Sequence, residues 1–224
     1  IRHSVMTQFA MVAMIVTATL VCIGIMERGR EIYEYLRETM EAKQDLLVKT
    51  TLMEKRVKLD GLTGLHNHMS FHEYLEELIK QSEACNLCLS LAVFDIDNFK
   101  KINDTWGHRV GDVVLERVSS QIQKLVGPDD FVARYGGEEF AVIFMEQTPE
   151  ATHQLVERIR EEIYRVHHSE LNGQHVTISA GLNHYRKGMG KEQLFGGADS
   201  SLYVAKRTGK NRVVVFDGCL DQQA

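Results

Sequence analysis

LCLSLAVFDID, residues 87–97, is short and apolar on both faces. A strand with one wet face alternates apolar and polar residues. This one does not, so it reads as a strand buried at the centre of a sheet. By the period of two, Leu89, Leu91, Val93, Asp95 and Asp97 share one face. The apolar series therefore ends in two acids at the C-terminal end of the strand. Carboxylates there are costly to bury unless they are paired or hold a metal. Capping of the turn into DNFKKIND is the ordinary explanation for such acids, and a metal is the functional one.

Working outward, DGLTGLHN (residues 60–67) is a turn-rich entry that leads into a helix expected near 69–82. Downstream, a helix is expected near 109–126, carrying Val113, Val114, Val118, Ile122 and Leu125. A hairpin follows over 130–145, then a helix over 149–167, a strand over 175–182, a helix over 193–207 and a last strand over 212–217. This order contains a β-α-β-β-α-β core. The predicted fold class is α+β, a ferredoxin-like βαββαβ domain with added elements.

Within the hairpin, RYGGEEF (residues 134–140) puts Gly136 and Gly137 beside Glu138 and Glu139. Two glycines between apolar runs read as a tight turn. Successive strand residues point to opposite faces, so one acid is expected to meet the acids of the central strand while its neighbour faces elsewhere. Hard oxygen ligands from two chain segments suit Mg²⁺, which takes one or two carboxylates and completes its shell with water and phosphate. Glycines leave room for a phosphate or a ribose.

Cations form a third component. Lys100 and Lys101 follow the acid pair, and AKRTGKN contributes Lys206, Arg207 and Lys210, with Gly209 placed to end the helix. Lysines serve phosphate as point charges, although a solvated helix end also favours them. Asn103 and Asp112 bracket TWGHRVGD. An amide and a carboxylate together can read a purine edge, the carboxylate accepting from guanine's N1–H and amino group.

The 224-residue chain has the length of one domain plus extra elements. Its net charge of −5 argues against a nonspecific nucleic-acid binder. Residues 5–26 carry no charge, and as a helix would span about 33 Å, so a transmembrane helix is expected there. Arg28, Arg30 and Arg37 follow it and place the C-terminal side in the cytoplasm. The chain begins at Ile1, which reads as a processed chain or a piece of a longer one. Residues 27–59 are rich in helix formers. Ile32, Leu36, Leu46, Met53 and Val57 fall at roughly heptad spacing, with Thr39, Lys43 and Thr50 in the same stripe. That is a weak coiled-coil pattern whose alternative is a solvated spacer helix. The expected organisation is a membrane segment over 1–26, a linker helix over 27–59, a globular domain over 60–218 and a tail over 219–224.

FDIDNFKKINDTWGHRVGD followed by RYGGEEF, with DGLTGLHN before and YVAKRTGKN after, resembles the GGDEF family of diguanylate cyclases, over about residues 58–217. The motif here is the GGEEF variant. The resemblance implies a palm-type catalytic domain that condenses two GTP into cyclic di-GMP and releases two pyrophosphates. It implies that Asp95, the backbone carbonyl of Ile96 and Glu138 bind Mg²⁺, with Mn²⁺ as a substitute. Glu138 would also be the general base for the 3′-hydroxyl. Lys100 would stabilise charge on the phosphates. Asn103 and Asp112 would read guanine, and Lys206 and Lys210 would hold the β- and γ-phosphates. His108, Gly136 and Gly137 complete the substrate-binding set. Each domain would hold one GTP, so two domains must face each other, and a homodimer through the catalytic domains and the linker helix is expected. The cell setting implied is the inner membrane of a bacterium, with the catalytic domain in the cytoplasm. The alternative is a catalytically silent nucleotide-binding or interaction module of the same fold; a third reading is a membrane sensor whose globular part serves mainly to dimerise.

The chain departs from the family pattern in places. Many members carry an inhibitory product site, R-x-x-D, before the hairpin. Here Asp130 is retained but Gly127 stands in place of Arg, and no inhibitory site is expected. The entry motif reads Asn67-His68 where Asn-Arg is usual, and Lys210 stands where Arg is often found. His68 and His72 have the i, i+4 spacing of a zinc pair without an evident third ligand. Of Cys22, Cys85, Cys88 and Cys219, the C-x-x-C at 85–88 lacks a second pair and reads as small apolar residues in a reducing compartment.

Overall fold

The computed structural model describes residues 2–218, without the side chains of residues 2–10, 12–13 and 47–57. Cys219 and the tail over 219–224 lie outside the described residues. The chain divides into two compact units after Lys55.

The first unit is helical. Helix α1 (Arg2–Lys58) runs through it and three residues into the second unit. Ion pairs Arg30–Glu34 (3.7 Å) and Arg37–Glu41 (3.1 Å) lie along its exposed surface. Ile32, Leu36 and Leu46 of the heptad stripe are exposed, while the side chains of Thr50, Met53 and Val57 are outside the described residues. Among the described residues no helix is long and apolar enough to cross a membrane. The expected transmembrane helix over residues 5–26 is therefore not supported. The side chains of residues 5–10 and 12–13 of that stretch lie outside the described residues, and Glu27, Arg28 and Arg30 close it on the other side.

The second unit is built around a five-stranded sheet of order β2-β3-β1-β4-β5. Its strands are β1 (Leu89–Ile96), β2 (Phe131–Arg134), β3 (Glu139–Met145), β4 (Ile178–His184) and β5 (Val213–Val215). Strand β1 is central and antiparallel to both β3 and β4, as its two apolar faces require. Every one of its residues is buried. The first four strands follow the ferredoxin-like plan, and β5 adds a parallel edge to β4. Helices α2 (His68–Cys85), α4 (His108–Leu125), α5 (Pro149–Arg165) and α6 (Lys191–Arg207) cover the sheet.

The two faces of β1 feed two cores. Leu89, Leu91 and Val93 pack with Phe71 and Leu75 of α2 and Leu194, Ala198 and Leu202 of α6. Ala92, Phe94 and Ile96 pack with Val114, Val118 and Ile122 of α4 and Val156, Ile159 and Ile163 of α5. This alternation fixes the site, because it turns Asp95 toward the α6 face.

Two short elements were not anticipated. Helix α3 (Phe99–Trp106) occupies DNFKKIND, which reads as a turn because its acids and asparagines favour caps over helix interiors. A 3₁₀ turn (Ser169–Leu171) follows α5, tied to α4 by the bidentate Arg117–Glu170 pair at 2.6 and 2.7 Å.

Candidate active site

Asp95 stands one residue from the C-terminal end of β1, directly opposite Glu139 of β3. Like charges facing each other across a sheet are destabilising, so this pairing needs compensation. Lys206 on the last turn of α6 provides part of it, its Nζ lying 2.7 Å from Asp95 Oδ2. Asp95 is only 5% exposed. Burial raises its pKa, the Lys206 ammonium opposes that rise, and the nearby Asp97 adds to it.

The turn carrying the other acids reaches the same place. Ile96 N donates to the carbonyl of Glu138 at 3.2 Å, so Glu138 lies against the end of β1. Burial raises the pKa of Glu138, and so does the charge of Asp95; Lys206 works in the opposite direction. Glu139 is raised by the same two causes, with Asp199 of α6 adding to them. Asp95 thus disfavours the ionisation of both glutamates, and the Lys206 ammonium opposes the rise in all three. The sequence expectation that the second glutamate faces elsewhere is corrected, because the β1–β3 register sets Glu139 on the Asp95 face.

Gly136 serves space rather than turn geometry, and Gly137 is required for neither. Neither glycine takes the left-handed backbone region. A Cβ on Gly136 would stand 2.5 Å from Glu139 Oε2, and one on Gly137 would meet nothing within 4 Å. The turn is braced from outside instead. Arg134 Nη1 donates to both carboxylate oxygens of Asp60 at 3.1 and 3.2 Å, and Arg134 Nη2 donates to the Gly137 carbonyl at 2.7 Å. Asp60 also accepts from Thr63 N (2.8 Å) and Thr63 Oγ1 (2.7 Å). Burial pushes its pKa up, but the Thr63 hydrogen bonds and the guanidinium outweigh burial and hold it below the usual carboxylate range. The entry motif DGLTGLHN is therefore a mount for the Gly136-Gly137 turn, a role that no local pattern in it reveals.

Asp97 does not join the cluster. It accepts from Thr177 Oγ1 (2.7 Å), Ser179 Oγ (2.7 Å) and Asn211 N (3.0 Å), which saturates it as the anchor of β4 and the loop after α6. The capping explanation holds for this acid. Around it Asn98, Lys210 and Asn211 all take positive φ, an uncommon concentration for residues with side chains. Lys210 Nζ donates to Asn98 Oδ1 at 2.6 Å. Lys206 and Lys210 thus both lie near the end of β1, one on Asp95 and one on Asn98.

The residues expected to read the base, Asn103 and Asp112, lie on α3 and α4. Gly107, with φ 83°, joins the two helices. A Cβ on Gly111 would collide with Asn103 Oδ1, so the glycine is what admits the amide there. Asn103 Oδ1 is buried without a hydrogen-bond partner. A buried orphan acceptor is costly unless a ligand completes it. Lys100, His108 and Asp112 are exposed and make no hydrogen bond or ion pair among the described residues.

The donor set also bears on a metal. Among the described residues no group of three or more His, Cys, Asp and Glu side chains is gathered tightly enough to hold an ion alone. Mg²⁺ does not require one, since it binds through one or two carboxylates with substrate phosphates. Asp95 already holds a cationic ammonium, which shows that the electrostatics of this position call for positive charge.

The sequence profile of the family described as "Diguanylate cyclase, GGDEF domain" matches residues 57–212. The chain is 36% identical over 204 residues to diguanylate cyclase DgcP of Pseudomonas aeruginosa, covering 84% of this chain and 30% of that protein. It is 40% identical over 162 residues to the probable diguanylate cyclase DgcT of Escherichia coli, covering 70% of this chain and 35% of that protein. The chain spans about a third of the length of these curated relatives. The crystal structure of the coiled coil and GGDEF domain of DgcB from Caulobacter crescentus in complex with c-di-GMP matches with a TM-score of 0.78 and 32% identity, over 82% of this chain and 98% of that one.

Proposed function

This chain belongs to the GGDEF-domain family of diguanylate cyclases, and from that premise we propose that it condenses two GTP into cyclic di-GMP with release of two pyrophosphates. The observation that carries the reading is the meeting of Asp95, Glu138 and Glu139 around Lys206 at the end of β1. A buried aspartate that raises the pKa of two partly buried glutamates is a poor way to build a sheet and a good way to hold a divalent cation.

Asp95, the Ile96 carbonyl and Glu138 would hold Mg²⁺ or, as a substitute, Mn²⁺. When bound, the metal supplies Lewis-acid activation of the ribose hydroxyl and neutralisation of the phosphates. Glu138 accepts the proton of the 3′-hydroxyl; its raised pKa makes it a stronger base than a surface carboxylate. Lys206 and Lys210 offer point charges to the β- and γ-phosphates. Lys100, unpartnered among the described residues, stabilises the charge that develops on the phosphates. Gly136 and Gly137 leave the approach open.

Base selection follows from acceptors. Asn103 Oδ1 and the Asp112 carboxylate accept from guanine's amino group and N1–H, with His108 at the rim. Adenine has no N1–H, so this pair favours GTP over ATP. The product has two-fold symmetry and each domain offers one such site, so two copies act face to face, with α1 as the element that pairs them. A GTP-consuming domain works where GTP is made, in the cytoplasm.

Incubation with GTP and Mg²⁺, followed by assay of both products, tests the reading. One cyclic di-GMP per two pyrophosphates is expected. Binding of GTP without either product would leave a silent nucleotide-binding module and overturn the proposal.

A further inference from the structure

The entry to α2 carries a feature that cyclase chemistry does not use. His68 and His72 are four residues apart on one helical face, and their Nε2 atoms approach to 3.3 Å. The two nitrogens are hydrogen-bonded, one donating its proton to the other, and a metal ion that took the place of that proton would find both within reach. Zn²⁺–imidazole bonds are about 2.0–2.1 Å long, and at the tetrahedral angle that places two nitrogens about 3.3–3.4 Å apart. The observed separation is the bite of such a chelate.

The rings are held in place by their surroundings. Tyr135 packs on His68 with ring centres 4.6 Å apart and on His72 at 5.7 Å, and Phe71 meets His72 at 5.3 Å. The pair is therefore preorganised rather than assembled from mobile surface side chains. Of the charged groups around it, Glu192 acts on His72 with negative charge, while Lys191 opposes it. Lys191 Nζ is drawn toward Glu76 Oε2 at 3.1 Å.

We propose that His68 and His72 form a chelating site for an imidazole-seeking divalent transition-metal cation of the Zn²⁺ and Cu²⁺ class, separate from the Mg²⁺ position at Asp95. Two protein nitrogens bind the ion and water fills the remaining positions. No closed shell of three or more ligands exists among the described residues, so the site is open and exchangeable. His68 is exposed and admits water to the ion, and Tyr135, one residue before Gly136, connects the site to the catalytic turn.

The test is calorimetric titration of ZnCl₂ into the full, tag-free chain with Cys22, Cys85, Cys88 and Cys219 changed to serine and Mg²⁺ held saturating. One equivalent of Zn²⁺ is expected to bind. His68→Gln and His72→Gln should each weaken it at least tenfold, and Asp95→Asn should leave it intact. If His72→Gln proves unstable, His68→Gln decides, because that ring is at the surface. A second readout is the Cu²⁺ paramagnetic resonance spectrum, which should show coupling to two imidazole nitrogens and lose it in either variant. Absence of Zn²⁺ binding, affinity unchanged by both histidine variants, or binding that disappears with Asp95 would each overturn the proposal.

Discussion

Lys206 Nζ lies 2.7 Å from Asp95 Oδ2, an ammonium set on a nearly buried carboxylate that faces a second carboxylate across the sheet. Removing the ammonium leaves Asp95 without its counter-charge in a dry position. Lys206→Met is expected to destabilise the domain by about 1–3 kcal/mol in urea denaturation without divalent metal. The same change in an Asp95→Asn background should cost markedly less, and that difference is the coupling between the two side chains.

Asp95, Glu138 and Glu139 all have pKa values raised by burial, with the charge of Asp97 adding to the rise of Asp95 and the charge of Asp95 adding to that of both glutamates. An acid that ionises less readily in the fold than in the unfolded chain favours the fold fully below its unfolded pKa, and that support is lost as pH rises through the folded value. Asp60 and Glu170, the latter held near 2 by Arg117, have the opposite sign and lose their support as pH falls. The active-site share is isolated by comparing wild type with Asp95→Asn. In EDTA, the stability of the variant relative to wild type should be higher at pH 7.5 than at pH 4.5, measured by urea unfolding. A difference of the reverse sign would contradict the assignment.

Arg134 bridges Asp60 and the Gly137 carbonyl, so the turn and the entry motif move as one piece. Asp60→Ala is expected to lower kcat for cyclic di-GMP formation at least tenfold, while the Mg²⁺ ligands themselves stay in place. Because the acid also holds Thr63, a stability loss of about 1–3 kcal/mol should accompany it. Unchanged kcat would separate the mount from the chemistry.

Asp130 has a structural role in the fold. Its oxygens accept from Gly127 N (2.8 Å), Met145 N (3.2 Å) and Gln147 Nε2 (3.2 and 3.3 Å), which closes the turn before β2. With Gly127 in place of arginine and this carboxylate engaged, low micromolar cyclic di-GMP should leave turnover unchanged. Asp130→Ala should reduce stability by about 1–3 kcal/mol. Inhibition by product that Asp130→Ala relieves would contradict the structural role.

Much of the fold was legible because its signals are local. The two apolar faces of β1 announced a central strand, and periodic helices on either side of a hairpin announced the βαββαβ order. What was not legible depends on pairing. Glu139 was expected to point away because alternation along one strand says so, and only the β1–β3 register reveals that its own face is the face of Asp95. Asp97 looked equivalent to Asp95 by the same alternation, yet β1 ends at Ile96 and Asp97 turns to Thr177 and Ser179, about eighty residues away. Helix α3 was hidden by cap-forming residues whose helical state is imposed by packing on α4. The uncharged stretch near the N-terminus pointed to a membrane span that the described residues do not support.

The account stands on Asp95 and Glu138 acting together on one substrate, and the rate of cyclic di-GMP formation in their single variants tests this most directly. GTP binding should be measured on the same samples, so that loss of chemistry is distinguished from loss of fold. The account predicts that Asp95→Asn and Glu138→Gln remain folded and that each loses at least a hundredfold in rate. Wild-type turnover in either variant would contradict it.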